Sequence, residues 1–174
     1  MLDQRTQSEL NNLVDAASAS AERSREADSR TAKYQRIRDS VSLFDGLTTD
    51  DVRRIMHRGN IVRVPGHEVI FYRDTPGRDM FVILSGRVGV YGDNERLLAE
   101  LGVGNLFGEM SLMLGKPRNA TVIAHEDTKL FVMRKETFEK LLTKRIAVTI
   151  LGNLARVLCS RIDAMNQKFT TETG

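Results

Sequence analysis

Three residues of the segment LFGEMSLMLGKPRNATV, residues 106–122, have types and spacing suited to holding an anion: Gly108, Glu109 and Arg118. Gly108 permits close backbone approach and unusual dihedrals. One helical turn from about Glu109 to Leu114 would present unsatisfied N–H groups to a phosphate. Arg118, directly before a strand-like run, can make a charge-assisted, fork-like pair with the same anion. Glu109 offers two acceptor oxygens, suited to a sugar hydroxyl. Taken singly each has a plainer reading, Arg118 as a surface arginine and Glu109 as a solvated or cap-forming carboxylate.

Other reactive side chains form no comparable group. His57 falls on an expected helix, His67 in a turn and His125 near a strand end, without the close histidine pair and carboxylate that a metal-dependent enzyme of the cupin type uses. Ser111 has no sequence-near base, so no nucleophilic triad is expected, and hydrolysis of a phosphate ester would need a metal or base that this segment does not supply. The single Cys159 excludes an intrachain disulfide, and its neighbours Val157 and Leu158 point to a buried thiol. The triplet Asn119–Ala120–Thr121 fits a glycosylation acceptor by coincidence of composition.

The elements that must position this segment can be read from period and punctuation. Residues 3 to about 40 lack Pro and Gly and favour helix, with thin apolar stripes at Leu10, Leu13, Ala17 and Ala21 and at Tyr34, Ile37 and Val41. That polarity suits an arm, residues 1–42, lying on the domain or on a partner subunit. FDGLTTDDVRRIMHRG reads as a second helix, capped by Thr48 or Thr49, with Asp50 and Asp51 in its first turn and Gly59 ending it. Short strand-like runs follow, IVRV, EVIF, MFVILSGRVGVY, LLAEL, ATVIA and KLFVM, separated by turn signals. No sizeable helical pattern separates them, so an antiparallel sandwich or roll is expected over residues 43–145. KETFEKLL is a short helix. A long one covers about 146–168, where Leu151, Leu154, Leu158, Arg161 and Met165 recur at spacings of three and four, beside Val148 and Ile162. That seam favours pairing with the same helix of a second subunit. A tail, 169–174, closes the chain.

The cassette resembles the phosphate-binding segment of the cyclic-nucleotide-binding domain family, which includes bacterial catabolite-activator-like regulators, regulatory subunits of cyclic-AMP-dependent kinase and nucleotide-gated channels. The pattern F-G-E-[LM]-[AS]-L followed by P-R-x-A-T is matched by Phe107, Gly108, Glu109, Met110, Ser111, Leu112, Pro117, Arg118, Ala120 and Thr121. The likeness extends upstream through FYRDTPGRDMFVILSGRVGVY and covers about residues 43–145. It implies a mainly β fold, a double-stranded β-helix or jelly-roll barrel with N-terminal helices and a long C-terminal helix. By resemblance, Arg118 neutralises the cyclic phosphate and Glu109 binds the ribose 2′-hydroxyl. Backbone amides around Gly108, Met110 and Ser111, with Asn119 and Ala120, complete the cradle. Val88, Val90 and Phe107 would line its apolar side or fill the core. Asn119 departs from the hydroxyl or alanine common after the arginine; the expected ligand is cyclic AMP, with cyclic GMP left open. The last helix would act as a lid, with Arg156 or Arg161 either reaching the base or standing as an ordinary surface or interface residue.

The 174 residues, 41% hydrophobic and 28% charged, fit one domain with helical extensions. A net charge of +3 only mildly favours anionic partners, and the basic stretch 134–145 reads as a solvated helix face near the last helix. No run approaches the roughly 20 apolar residues of a membrane helix, and no apolar leader is present, so a cytoplasmic, non-enzymatic sensor with no membrane partner and no bound cofactor or metal is expected. DNA reading would need a recognition helix beyond Lys168 that these residues do not supply, so direct nucleic-acid binding is not expected. Two alternatives stand beside the sensor: a degenerate roll serving only protein–protein contact, and a regulatory fragment of a larger transcription regulator.

Overall fold

The computed structural model describes residues 4–172, with side chains described from residue 20 to residue 167. Helix α1 (Gln4–Ser40) is the uninterrupted arm that the Pro- and Gly-free sequence requires. From residue 21 to residue 33 its side chains are exposed, and among its described side chains those of the last turns pack, through Tyr34 and Ile37. The stripe at Leu10, Leu13 and Ala17 lies outside the residues with described side chains. A 3₁₀ turn, Ser42–Phe44, buries Leu43 and Phe44 and leads to α2 (Thr49–Met56). The N-terminus of α2 is fixed by a capping box, in which Thr48 Oγ1 accepts from the Asp51 backbone N–H and the Asp51 carboxylate accepts from that of Thr48. The helix ends at Met56 with His57 as its cap; Gly59 is required instead by space, since a Cβ there would strike the Phe131 ring.

Among the described residues, eight strands form two antiparallel four-stranded sheets. In one the order is β1 (Asn60–Val64), β8 (Thr128–Arg134), β3 (Asp79–Ser85), β6 (Leu106–Phe107). In the other it is β2 (Val69–Phe71), β7 (Thr121–Ala124), β4 (Val88–Tyr91), β5 (Leu97–Leu101). The hydrogen bonding leaves both sheets open, so the architecture is a two-sheet roll with flanking helices. The run MFVILSGRVGVY is two strands, broken where Gly86 takes φ +87 against Thr128. The two-residue strand β6 is too short to leave a periodic signal.

The strand alternation feeds two cores. Phe81, Ile83 and Leu130 meet Val88, Leu101, Phe107 and Val122 between the sheets. Met80, Val82, Phe131 and Met133 point the other way, onto α2, α4 (Lys135–Leu142) and α5 (Ala147–Glu172). Helix α5 docks through Ile150 and Leu154, and Asn153, 2% exposed, donates to the carbonyls of Leu43 (2.9 Å) and Asp45 (2.8 Å). The helix runs past Lys168, and the tail expected after it has no described side chains.

Two expectations for α5 are corrected. Cys159 is exposed, because it lies on the face turned away from Ile150, Asn153 and Leu154. The seam read from sequence mixes two faces: Leu154 is buried against the roll and Arg161 turns inward, while Val148, Leu151, Ile162 and Met165 are exposed. Among the described residues no helix is long and apolar enough to cross a membrane.

Candidate functional site

Strand β6 pairs with β3 (Phe81 with Phe107, Val82 with Leu106) and delivers the chain into the cassette at the sheet edge. There Gly108, at φ 77 and ψ 2, turns the backbone into α3 (Glu109–Leu114), which Gly115 ends in the same left-handed conformation. A side chain at Gly108 would be strained at that φ, and its Cβ would stand 2.6 Å from Arg118 Nη1 and 2.9 Å from the Asp79 carbonyl oxygen.

That space holds Arg118, which is 4% exposed. Its Nη1 donates to the carbonyls of Asp79 (2.8 Å) and Gly108 (3.0 Å). Its guanidinium lies over the Phe71 ring at 4.2 Å and near that of Phe81 at 5.5 Å. Gly77 opens the remaining side, since a Cβ there would collide with the Arg118 guanidinium. Arg118 Nε is buried without a hydrogen-bond partner, a costly state for a charged donor. Burial pulls the guanidinium below its usual pKa, while the charges of Asp79 and Glu109 pull it up.

Glu109, 4% exposed, accepts from Arg161 Nη1 at 2.8 Å, and Arg161 Nη2 donates to the Leu106 carbonyl. The middle of α5 is thus fastened to the cassette through its carboxylate. Arg156 instead donates to Asn153 Oδ1 at 2.6 Å.

A cavity of about 740 Å³ opens beside these groups, walled by β4, β5, the cassette and α5. Of the residues expected at the site, Val90, Phe107, Gly108, Glu109, Met110, Asn119 and Ala120 line it. Asn119 Nδ2 rests 3.2 Å from the Met110 sulfur. Three expected residues do not line it. Val88, fully buried, packs in the inter-sheet core beside Leu101, its cross-strand partner; Ser111, 3% exposed, faces inward from α3; and Arg118 lies behind Gly108 and Phe71. The sequence reading missed Phe71, Arg96, Leu97, Leu98 and Met165 on the wall. Only the alternation of EVIF and LLAEL carried a signal for any of them.

The histidines serve elsewhere. His57 Nε2 is 3.4 Å from the Tyr34 hydroxyl, and His125 lies between the Tyr91 hydroxyl (2.9 Å) and Glu100 (3.3 Å). No group of three or more His, Cys, Asp or Glu side chains suited to a metal occurs among the described residues.

Residues 61–145 match the family profile described as "Cyclic nucleotide-binding domain". The chain is 35% identical over 124 residues to the cyclic AMP receptor protein of Thermus thermophilus, a match covering 69% of this chain and 56% of that protein. It is 32% identical over 111 residues to human cyclic nucleotide-gated channel beta-1, covering 61% of this chain and 9% of the channel subunit. The crystal structure of Thermus thermophilus catabolite activator protein superposes with a TM-score of 0.67 at 31% identity, over 76% of this chain and 63% of that one. The match thus covers less than two thirds of the length of each of these three relatives.

Proposed function

Because residues 61–145 belong to the cyclic nucleotide-binding domain family, we propose that the chain is a sensor that binds one cyclic purine nucleotide, cyclic AMP or cyclic GMP, in the cavity beside α3 and signals through α5. The reading is that of a binding module, with no reaction catalysed. The observation that carries it is Arg118: a buried guanidinium with an unpartnered Nε, held behind a glycine-made cradle at the edge of a largely apolar cavity. A cyclic phosphate over Gly108 and Met110 would satisfy that charge, aided by backbone amides of Ser111, Asn119 and Ala120. Glu109 would take the ribose 2′-hydroxyl, and Val90 and Phe107 would pack on the nucleotide.

Signalling follows from what Glu109 already holds. Its partner Arg161 belongs to α5, so a ribose hydroxyl arriving at the same carboxylate bears directly on how α5 is held. A ligand moves that equilibrium only by binding one arrangement of α5 better than the other. The output would be α5 itself. Val148, Leu151, Ala155, Leu158, Ile162 and Met165 alternate by three and four along a largely exposed face, the pattern by which two copies of one helix pair. An effector protein meeting that face is the other route.

Calorimetric titration of nucleotide-free protein with cyclic AMP and cyclic GMP tests the reading. Saturable binding of one nucleotide per chain in the micromolar range or tighter is expected. Absence of heat and of competition with either nucleotide at high micromolar protein would leave the roll as a contact module only.

A further inference from the structure

Each sheet ends in two strands with one open side, and such an edge is a template for a further strand unless it is short, bulged or otherwise blunted. Three of the four edges are blunted. Strand β6 has two residues, β2 has three with a register shift against β7 between Val69 and Phe71, and β5 pairs with β4 through a shift at Val90 and Tyr91. Strand β1 differs. Its five residues all pair with β8 in unbroken register, from Asn60 opposite Val132 to Val64 opposite Thr128. Alternate residues of a strand send both backbone polar groups to the same side, so those of β1 not spent on β8 face outward. Among the described residues no hydrogen bond besides the β8 ladder reaches this backbone.

The side chains say what the edge admits. Ile61 and Val62 are 46% and 37% exposed, on opposite faces of the strand. Arg63 shares the face of Ile61 and stands across from Lys129 on β8, and Arg58 is exposed just before β1. None of these three cations makes an ion pair among the described residues. The two carboxylates just before β8 are engaged elsewhere: Asp127 accepts from the Gly66 N–H at 2.9 Å, and Glu126 pairs with Arg87 at 3.3 Å. Glu68 lies beyond Pro65, outside the strand. A second copy of β1 laid on this edge would bring the same cations together, a like-charge opposition that disfavours self-pairing. A strand with carboxylates on that face would neutralise them.

We propose that the open edge of β1 is a docking site for an extended acidic segment of a partner protein. The segment adds as a fifth strand to the sheet β1–β8–β3–β6, with carboxylates beside Arg63 and apolar side chains beside Val62 on the opposite face. None of the residues lining the nucleotide cavity belongs to β1, so this inference is independent of the sensor reading.

The probe is a fluorescein-labelled peptide of alternating Glu and Val, long enough to span β1, titrated into the whole chain and followed by fluorescence anisotropy. Two comparison peptides carry Lys in place of Glu, or methyl groups on every backbone nitrogen, which keep the charge but cannot extend a sheet. Wild type is expected to bind the Glu–Val peptide in the micromolar range and both comparison peptides at least about tenfold more weakly. Arg63→Glu should weaken the Glu–Val peptide at least about fivefold, since it replaces an attraction by a repulsion. Arg63 is exposed, and an unchanged melting curve shows that the variant folds as wild type does. Amide hydrogen exchange should slow at residues 60–64 when the peptide is bound. Absence of binding at high micromolar protein overturns the proposal. So does equal binding of the methylated peptide or an unaltered affinity in Arg63→Glu, either of which removes the strand or the charge from the argument. Protection at the cavity in place of β1 overturns it as well. Protection of residues 60–64 that rises with protein concentration alone would assign the edge to a second copy of this chain and overturn the acidic partner.

Discussion

Replacing Arg161 by Ala should destabilise the nucleotide-free protein by about 2 kcal/mol. The figure is worked from the asymmetry of the pair: the Glu109 side chain is 5% exposed and that of Arg161 is 31% exposed. Removing the arginine strands a buried carboxylate, for which losses of about 3–5 kcal/mol are typical, but water can enter through the partly open arginine site and reduce the loss. The carbonyl of Leu106 also loses its donor, within the range of roughly 1–3 kcal/mol for an unpaired buried acceptor. Glu109→Gln should cost less than Arg161→Ala, because Arg161 can turn to solvent while a neutral amide is easily tolerated. Urea unfolding followed by circular dichroism on wild type, both single variants and the double variant gives the coupling. It should be at least about 1 kcal/mol, and Arg161→Ala should melt roughly 4–8 °C below wild type for a chain of this size. A loss under about 0.5 kcal/mol, or additive single effects, would show that α5 is not held through Glu109, and the proposed route from ribose to helix would fall with it.

Asn153→Leu should cost about 2 kcal/mol in the same assay, since it strips the carbonyls of Leu43 and Asp45 of their shared donor at a fully packed position; a neutral effect would mean that the 3₁₀ turn is not fastened by α5. Ile162→Glu should leave the unfolding curve of the monomer within about 0.5 kcal/mol, because Ile162 is 58% exposed, yet should abolish a dimer seen by sedimentation. Wild type that stays monomeric at high micromolar concentration would remove the seam as a dimer contact.

The cassette was legible because its chemistry is local. Gly108, Glu109 and Arg118 lie in one short span; singly Glu109 and Arg118 had plainer readings, their match as a group to the family pattern drew them together, and α3 forms where the spacing placed it. Helices α1, α2 and α4 were also readable, from uninterrupted composition, a threonine cap with acidic residues in the first turn, and the short run KETFEKLL. Alternation located the strand faces but not depth along a strand, which is why Val88 and Val90 looked equivalent although Val88 is fully buried in the inter-sheet core and, of the two, Val90 reaches the cavity. The seam of α5 misled for a related reason. Spacings of three and four fit two neighbouring lines on the helix, and tertiary packing decides that Leu154 and Arg161 turn inward while Val148 and Ile162 remain outside. Cys159 was misread by its neighbours in sequence, whereas burial on a helix follows neighbours three and four residues away. Arg96 left no signal, because its placement depends on two left-handed residues in a hairpin whose sequence reads only as a turn.

The central claim is that a cyclic phosphate is held by Arg118, and the most direct measurement compares wild type with Arg118→Ala toward a cyclic nucleotide and toward the matching uncharged nucleoside. The account predicts that the variant loses at least about 1.5 kcal/mol, more than tenfold, of affinity for the cyclic nucleotide, while binding of the nucleoside changes by less than about threefold. Equal affinity of wild type and folded variant for the cyclic nucleotide would contradict it, and would leave Arg118 as a structural pin between the carbonyls of Asp79 and Gly108.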